Sequence, residues 1–450
     1  MILGLTAPGR DGGLALSEPS SGRALTYGAL AAAVAERAAE LAGDKQLAMV
    51  AASCGMDAVV CWLAAMQAGH AVMLLPPDLA AARLSTLIEL YRPDLLLGWP
   101  EQSGYGPGPA GFARRFQPDG GLLHPDLCLL LSTSGSAGSP RMVRLSRRAV
   151  EANAGAIAVA LALGGEDRVA TTLPLSYSYG LSLLHSHLAA GAAVVLSDLS
   201  VLSRPFWDLA ASCRLTSLAG VPFLWQSLRR LDLAALAPPS LRFGTQAGGR
   251  LDPRLTLHFH DIFARRGGGM ITMYGQTEAT ARMTVLSPDQ LPARAGSVGR
   301  AIPGGAIAID GGAVVYQGAN VMMGYACDRA DLALADQMNG VLPTGDLGHV
   351  DEDGYLWLEG RAGRVVKVVG LRLDLDEVQA RAAMLGPTAA LVRGDDLIML
   401  IAGAVPMAET RAAFAADLGV PAAAIRWRSV TAIPLGGNGK VDVAAAEALL

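Results

Sequence analysis

Charge is scarce in this chain and nearly balanced. Asp, Glu, Lys and Arg make up 17% of 450 residues and leave a formal net charge of −4. That excludes a polyelectrolyte partner such as nucleic acid and, beside 52% hydrophobic residues, a disordered chain. Cysteine is scarce as well. Cys54, Cys61, Cys128, Cys213 and Cys327 lie scattered without CxxC pairing, which excludes a disulfide framework and implies reduced, buried thiols. The start, MILGLTAPGRDGG, lacks the basic region and apolar stretch of a signal peptide, so a cytoplasmic location is expected. No uninterrupted membrane-spanning run is present. The nearest, Ala58 to Leu75, is broken by Gln67, Gly69 and His70 and stopped by Pro76-Pro77, and reads as a buried helix to about Ala68, a turn, and a strand from Ala71.

What is present is enough chain for at least two domains. Thr26 is placed to cap a helix whose apolar face includes Leu30, Val34 and Leu41, and a strand follows at Leu47 to Ala52. The alternation continues, with a helix at Arg147 to Ala162 and a strand at Ala192 to Leu196, which predicts α/β layers around largely parallel sheets. Trp99 to Gly121, rich in Gly and Pro, reads as a surface loop. After Ser297 the texture changes to short strands with Gly turns, Ala306 to Ile309, Ala313 to Tyr316 and Tyr355 to Leu358, which predicts a small β-rich subdomain. A strand pair, a helix near Asp376, the strand Leu397 to Ile401 and a terminal helix predict a separate α+β unit. The expected division is 1–362 and 363–450.

The segment Leu127 to Arg141 runs from an apolar strand into hydroxyl and glycine residues. Thr133, Ser134 and Ser136 offer hydroxyls, and Gly135 and Gly138 allow backbone N–H groups to approach an anion, so the loop can surround phosphates. It lacks the GK[ST] ending of a P-loop NTPase. Taken alone, it leaves an ordinary Ser/Gly surface turn as the lesser alternative.

Further segments decide between the two. TSGSAGSPRM from Thr133, MYGQTEAT from Met273, PTGDLGHVDEDGYL from Pro343, GRAGRVVKVVGLRLDLDEV from Gly360 and PLGGNGKVD from Pro434 occur in this order. Together they resemble the motifs of the adenylate-forming superfamily of acyl-CoA synthetases, peptide-synthetase adenylation domains and luciferases. The resemblance implies a large N-terminal domain of layered α/β subdomains with the β-rich subdomain, a small mobile α+β C-terminal domain, and ATP bound at their junction. It implies that Glu278 holds Mg2+, that Thr277 bonds the α-phosphate, and that Tyr274 stacks near adenine, chemistry that suits a carboxylate, a hydroxyl and an aromatic ring. Asp346 would accept from the ribose hydroxyls with Arg361 nearby, and Gly248 and Gly249 would pass under the adenine and the acyl pocket. Lys440 is expected to offset the charge that builds when a carboxylate attacks the α-phosphate. Gly370 would line a thiol tunnel with Arg372 on the same loop, and Gly363 would be the hinge for a second domain orientation.

The resemblance also shows departures. Arg141 stands where a lysine of the phosphate loop is usual and keeps its positive charge, Gly363 replaces a polar hinge residue, and Arg147 replaces a histidine. No acid lies in Pro174 to Gly180 to hold a substrate ammonium, which disfavours an α-amino acid. Tyr177, Tyr179, Gly220, Val221 and Gly248 are expected to line a pocket for an aryl or aliphatic acid, although the tyrosines are equally suited to interior packing. His185 and His187 fit a core or strand position better than a metal site. The expected activity is therefore ATP-dependent carboxylic acid ligation through an acyl-AMP, with CoA or the phosphopantetheine of a separate carrier protein as acceptor. An amide synthetase with an amine acceptor and a non-catalytic nucleotide-binding relative remain as alternatives.

Overall fold

The computed structural model describes residues 2–117, 121–133, 141–361, 365–368, 371–393, 396–418, 420–436 and 439–450. Two large sheets organise the first 330 residues. An eight-stranded sheet runs in the order Gly324–Ala326, Met142–Ser146, Leu127–Ser132, Ala71–Leu75, Leu47–Ala51, Leu95–Leu97, Ala113–Arg115, Tyr105–Pro107, with its central pairs parallel. A nine-stranded sheet contains the parallel series Ala193–Val195, Arg168–Ala170, Ser217–Gly220, Phe243–Gln246 and Gly269–Tyr274, followed by antiparallel Thr284–Leu286.

Helices Met56–Gln67 and Ser178–Ala190 lie in the core shared by both sheets, which explains why they are apolar on nearly every face. Alternation along the strands divides the layers. Ala48 and Val50 face this shared core, while Leu47 and Met49 face an outer core with helix Ala81–Tyr91. The broken apolar run therefore became a helix, a turn at Gly69 and the strand Ala71–Leu75, and among the described residues no helix is long and apolar enough to cross a membrane.

Thr26 caps helix Tyr27–Glu40, its hydroxyl accepting from the Ala29 N–H at 3.2 Å. Thr26→Ala should cost about 1 kcal/mol, seen as a lower denaturant midpoint at unchanged slope. An unchanged midpoint would mean that packing of the buried Tyr27 and Leu30 sets the helix start by itself.

Four antiparallel strands, Gly305–Asp310, Ala313–Gly318, Val341–Val350 and Leu356–Arg361, form the β-rich part. Its first hairpin pairs Asp310 with Ala313 across Gly311 and Gly312, whose φ angles of 55° and 88° are those of a tight primed turn. From Val365 onward the chain builds its own elements: the hairpin Val365–Val368 and Leu371–Asp374, helix Leu375–Ala382, and a sheet of Thr388–Arg393, Asp396–Ala402 and Ile425–Val430. Their cores draw only on residues of this segment.

Two expectations need correction. Trp99 to Gly121 is not simply a loop, because Tyr105–Pro107 and Ala113–Arg115 pair and extend the eight-stranded sheet, an edge role that tolerates Pro107. Cys327 is exposed rather than buried, although Cys61 and Cys128 are buried. His185 and His187 lie buried in helix Ser178–Ala190, the core position expected of them. Burial lowers their pKa values to about 3 and about 4, so both are neutral in the core.

Candidate active site

Parallel strands carry their ligands beyond their carboxyl ends, and here several motif segments start from such ends. Ser217–Gly220 leads into Val221, Phe243–Gln246 into Gly248, and Gly269–Tyr274 into the short 3-10 turn Thr277–Ala279. Gly248 has φ of 86°, a conformation that favours glycine, and its surroundings reinforce the requirement. A Cβ there would lie 2.6 Å from Tyr177 Oη, 3.2 Å from Val221 Cγ1 and 3.8 Å from Lys440 Cε. Tyr177, Val221, Gly248 and Lys440, far apart in the chain, thus meet at one point. Next to Lys440, a Cβ on Gly439 would lie 3.0 Å from Val221 Cγ2. Burial pushes the Tyr177 phenol up to about 12, so it stays protonated and can donate there.

The neighbouring turn is fixed from several directions. Thr277, buried, shares a hydrogen bond with Ser178 at 3.1 Å. Glu278 accepts from Tyr325 Oη at 2.9 Å, and its backbone carbonyl accepts from the Met322 N–H at 2.8 Å. Asn320 Nδ2 donates to the carbonyls of Ala279 and Arg282 at 2.9 and 3.0 Å. Tyr274 Oη donates to Asp346, which is buried on strand Val341–Val350, and strand pairing sets Arg361 opposite Asp346. The Tyr274 ring is itself buried.

The expected phosphate loop connects two antiparallel strands whose last pair is Ser132 with Met142. Ser134, Gly135, Ser136 and Gly138 lie outside the described residues, as do Gly363 and Gly370, and only the backbone of Arg361 and Arg372 is described. The ends of the loop are informative. Thr133 follows Ser132 directly, and Arg141 lies with its guanidinium carbon 3.8 Å from the centroid of the Tyr325 ring. A flat guanidinium stacks on this ring, which gives a physical reason for arginine at a position where lysine is usual in the family it resembles. Arg141, Tyr325 and Glu278 form a continuous series: cation on ring, ring hydroxyl on carboxylate.

Not every expected pocket residue faces the same space. Tyr179 is 1% exposed, bonded through its hydroxyl to Thr245 and packed edge-on against Tyr177 at 6.3 Å, so it backs Tyr177. Gly220 makes room for Leu224 and Trp225, and Gly249 packs on Pro222. Arg147 pairs with Glu151 one helical turn on. Among the described residues no group of three or more His, Cys, Asp or Glu could hold a metal by itself. Glu278 nevertheless suits Mg2+, which commonly takes one or two carboxylates and completes its shell with substrate phosphates and water.

Sequence reasoning missed Ser178, Asn320 and Tyr325. Ser178 stood inside the quoted segment Pro174 to Gly180, but nothing in the spacing marked its hydroxyl. Tyr325 reaches the site because Gly324–Ala326 pairs with Met142–Ser146, a contact invisible to local pattern.

Residues 9–326 match the AMP-binding enzyme family. The chain is 32% identical over 341 residues to a sulfoacetate–CoA ligase of Cupriavidus necator, covering 70% of this chain and 65% of that protein. It is 33% identical over 251 residues to an indoleacetate–CoA ligase of Aromatoleum aromaticum, covering 53% and 48%. The chain thus spans about half to two thirds of these relatives. An o-succinylbenzoate coenzyme A synthetase from Bacillus subtilis, solved with AMP, has the same fold, with a TM-score of 0.78 at 20% identity, covering 98% of this chain and 96% of that one.

Proposed function

Because the chain belongs to the AMP-binding enzyme family, we propose that it joins a carboxylic acid to AMP with release of pyrophosphate and then transfers the acyl group to a thiol. The observation that carries this reading is the approach of Lys440 to Gly248, Tyr177 and Val221. A carboxylate oxygen attacks the α-phosphorus of ATP, an acyl-phosphate bond forms, and the bond to the pyrophosphate oxygen breaks. Two anions approach each other in this step, so a positioned ammonium contributes most where charge accumulates. Lys440 supplies it, and Thr277 donates its hydroxyl to the α-phosphate.

The Thr133 loop, with Ser134, Gly135, Ser136 and Gly138, surrounds the outer phosphates, and Arg141 adds positive charge. Asp346 accepts from the ribose hydroxyls with Arg361 alongside, and Tyr274 flanks the adenine with Gly249. Glu278 holds Mg2+, which neutralises phosphate charge when bound. The acid is aryl or aliphatic rather than an α-amino acid, in keeping with the absence of an acidic residue from Pro174 to Gly180.

For the second step the unit 363–450 pivots at Gly363 and brings Gly370 and Arg372 to a thiol channel, with CoA or the phosphopantetheine of a carrier protein as acceptor. Exposed ties between this unit and the rest, such as Arg250 to Glu377 at 3.7 Å, are weak enough to release.

Acid-dependent exchange of labelled pyrophosphate into ATP tests the first step across a library of acids, and CoA, holo-carrier or amines added afterwards identify the acceptor. Absence of exchange with every acid would overturn the adenylate reading, and amide without thioester would overturn the thiol. Tyr325→Phe should raise the Mg2+ concentration for half-maximal exchange about tenfold, because the Glu278 carboxylate loses the hydroxyl that orients it while Arg141 keeps its ring. An unchanged Mg2+ profile would remove Glu278 from the metal site.

A further inference from the structure

Among the described residues three arginines are buried, and two of them have their charge met. Arg329 pairs with Asp94 at 2.9 Å, and Arg144 donates to the carbonyls of Met323, Tyr325, Leu334 and Ala335 and to Gln337. Arg282 differs. It is 2% exposed, yet among the described residues its side chain finds only the Met273 thioether at 3.3 Å, the Ala281 carbonyl at 3.5 Å and the face of Tyr179 at 3.9 Å. Among the described residues no carboxylate pairs with it, and the ionisable groups that face it are the phenols of Tyr179 and Tyr177. Guanidinium keeps its proton at neutral pH, so this is a cation taken out of water with five N–H donors and poor acceptors.

Its position is also informative. Arg282 follows Glu278 by four residues, and its backbone is clamped by Asn153 and Asn320. Through Met273 it sits at the carboxyl end of strand Gly269–Tyr274, and through Tyr179 it lies behind Tyr177, the residue that meets Gly248 and Lys440.

We propose that Arg282 recognises a second anionic group, a carboxylate or a sulfonate, at the far end of the acid whose reacting carboxylate lies by Lys440. This rests on the acyl-adenylate reading above. A bidentate anion supplies the in-plane acceptors that the protein withholds, and an acid with an apolar end leaves the cation unmet.

The test compares α,ω-dicarboxylates from succinate to suberate with monocarboxylates of the same length, and 3-sulfopropionate serves as the sulfonate arm. Binding is measured by calorimetry without ATP, and KM and kcat by pyrophosphate exchange, for the wild type, Arg282→Gln and Arg282→Lys. The wild type should bind at least one diacid or the sulfonate about tenfold tighter than its matched monoacid. Arg282→Gln should raise Kd and KM for that dianion about tenfold to thirtyfold and leave the monoacid nearly unchanged, while Arg282→Lys keeps part of the preference. Equal weakening of both acids by Arg282→Gln would make Arg282 a packing residue and overturn the proposal, as would a wild type that favours no dianion. The wild-type comparison decides even if the glutamine variant fails to fold. Arg282-dependent binding of a dianion without exchange by any acid would retain the recognition and reject the adenylate chemistry.

Discussion

Lys440→Ala is expected to lower acid-dependent ATP–pyrophosphate exchange by about 10²–10³-fold, the loss that follows removal of one preorganised donor from a developing anion. The expectation depends on location as much as on charge. Lys440 precedes Val441, which bridges Leu435, its carbonyl accepts from the Gly436 N–H at 2.8 Å, and its side chain arrives beside Gly248. Transfer from a supplied acyl-AMP to the thiol should be much less affected, because in the proposed second step the unit 363–450 pivots and carries Lys440 away from the leaving phosphate. A variant that exchanged pyrophosphate at the wild-type rate would remove Lys440 from the first step, and one equally poor in both would point to a fault in the fold.

Gly248→Ala should lower the same exchange by roughly 10²-fold, with most of the effect in acid KM. Two separate costs are involved. The left-handed backbone disfavours any side chain, by about 1–2 kcal/mol, and the new methyl would press on the Tyr177 hydroxyl and Val221. They can be separated experimentally: adding Tyr177→Phe removes the oxygen 2.6 Å from the methyl and should recover part of the lost activity, while the backbone term stays. If the double variant is no better than Gly248→Ala, the backbone accounts for the whole defect. Wild-type exchange by Gly248→Ala would show that this surface is not where the acid passes.

The layered architecture was legible because periodicity reports burial. Ala71–Leu75, the Thr26 cap and the Gly311–Gly312 hairpin appear where residue chemistry put them. The motif residues were legible for a different reason, since each sits in a short segment whose order along the chain carried a family resemblance. Contacts that depend on strands pairing across long separations could not be read this way. Tyr325 reaches Glu278 across 47 residues, and Asn320 reaches Ala279 across 41. Arg282 lies just beyond the quoted segment MYGQTEAT and escaped notice, because an arginine in a sequence looks solvated until its neighbours are known. The Trp99 to Gly121 segment failed differently: Gly and Pro mark turns, but they do not forbid short edge strands between them.

Met142–Ser146 is both a buried core strand and the neighbour that positions Tyr325. Core packing and the placement of Tyr325 against Glu278 are therefore coupled in one ribbon of backbone. Repacking beneath Val143, which is 0% exposed, would shift the spacing between the Arg141 cation and the Glu278 carboxylate without touching either. Efforts to harden this protein against heat would best leave that ribbon alone and work on the faces of the sheets turned away from it.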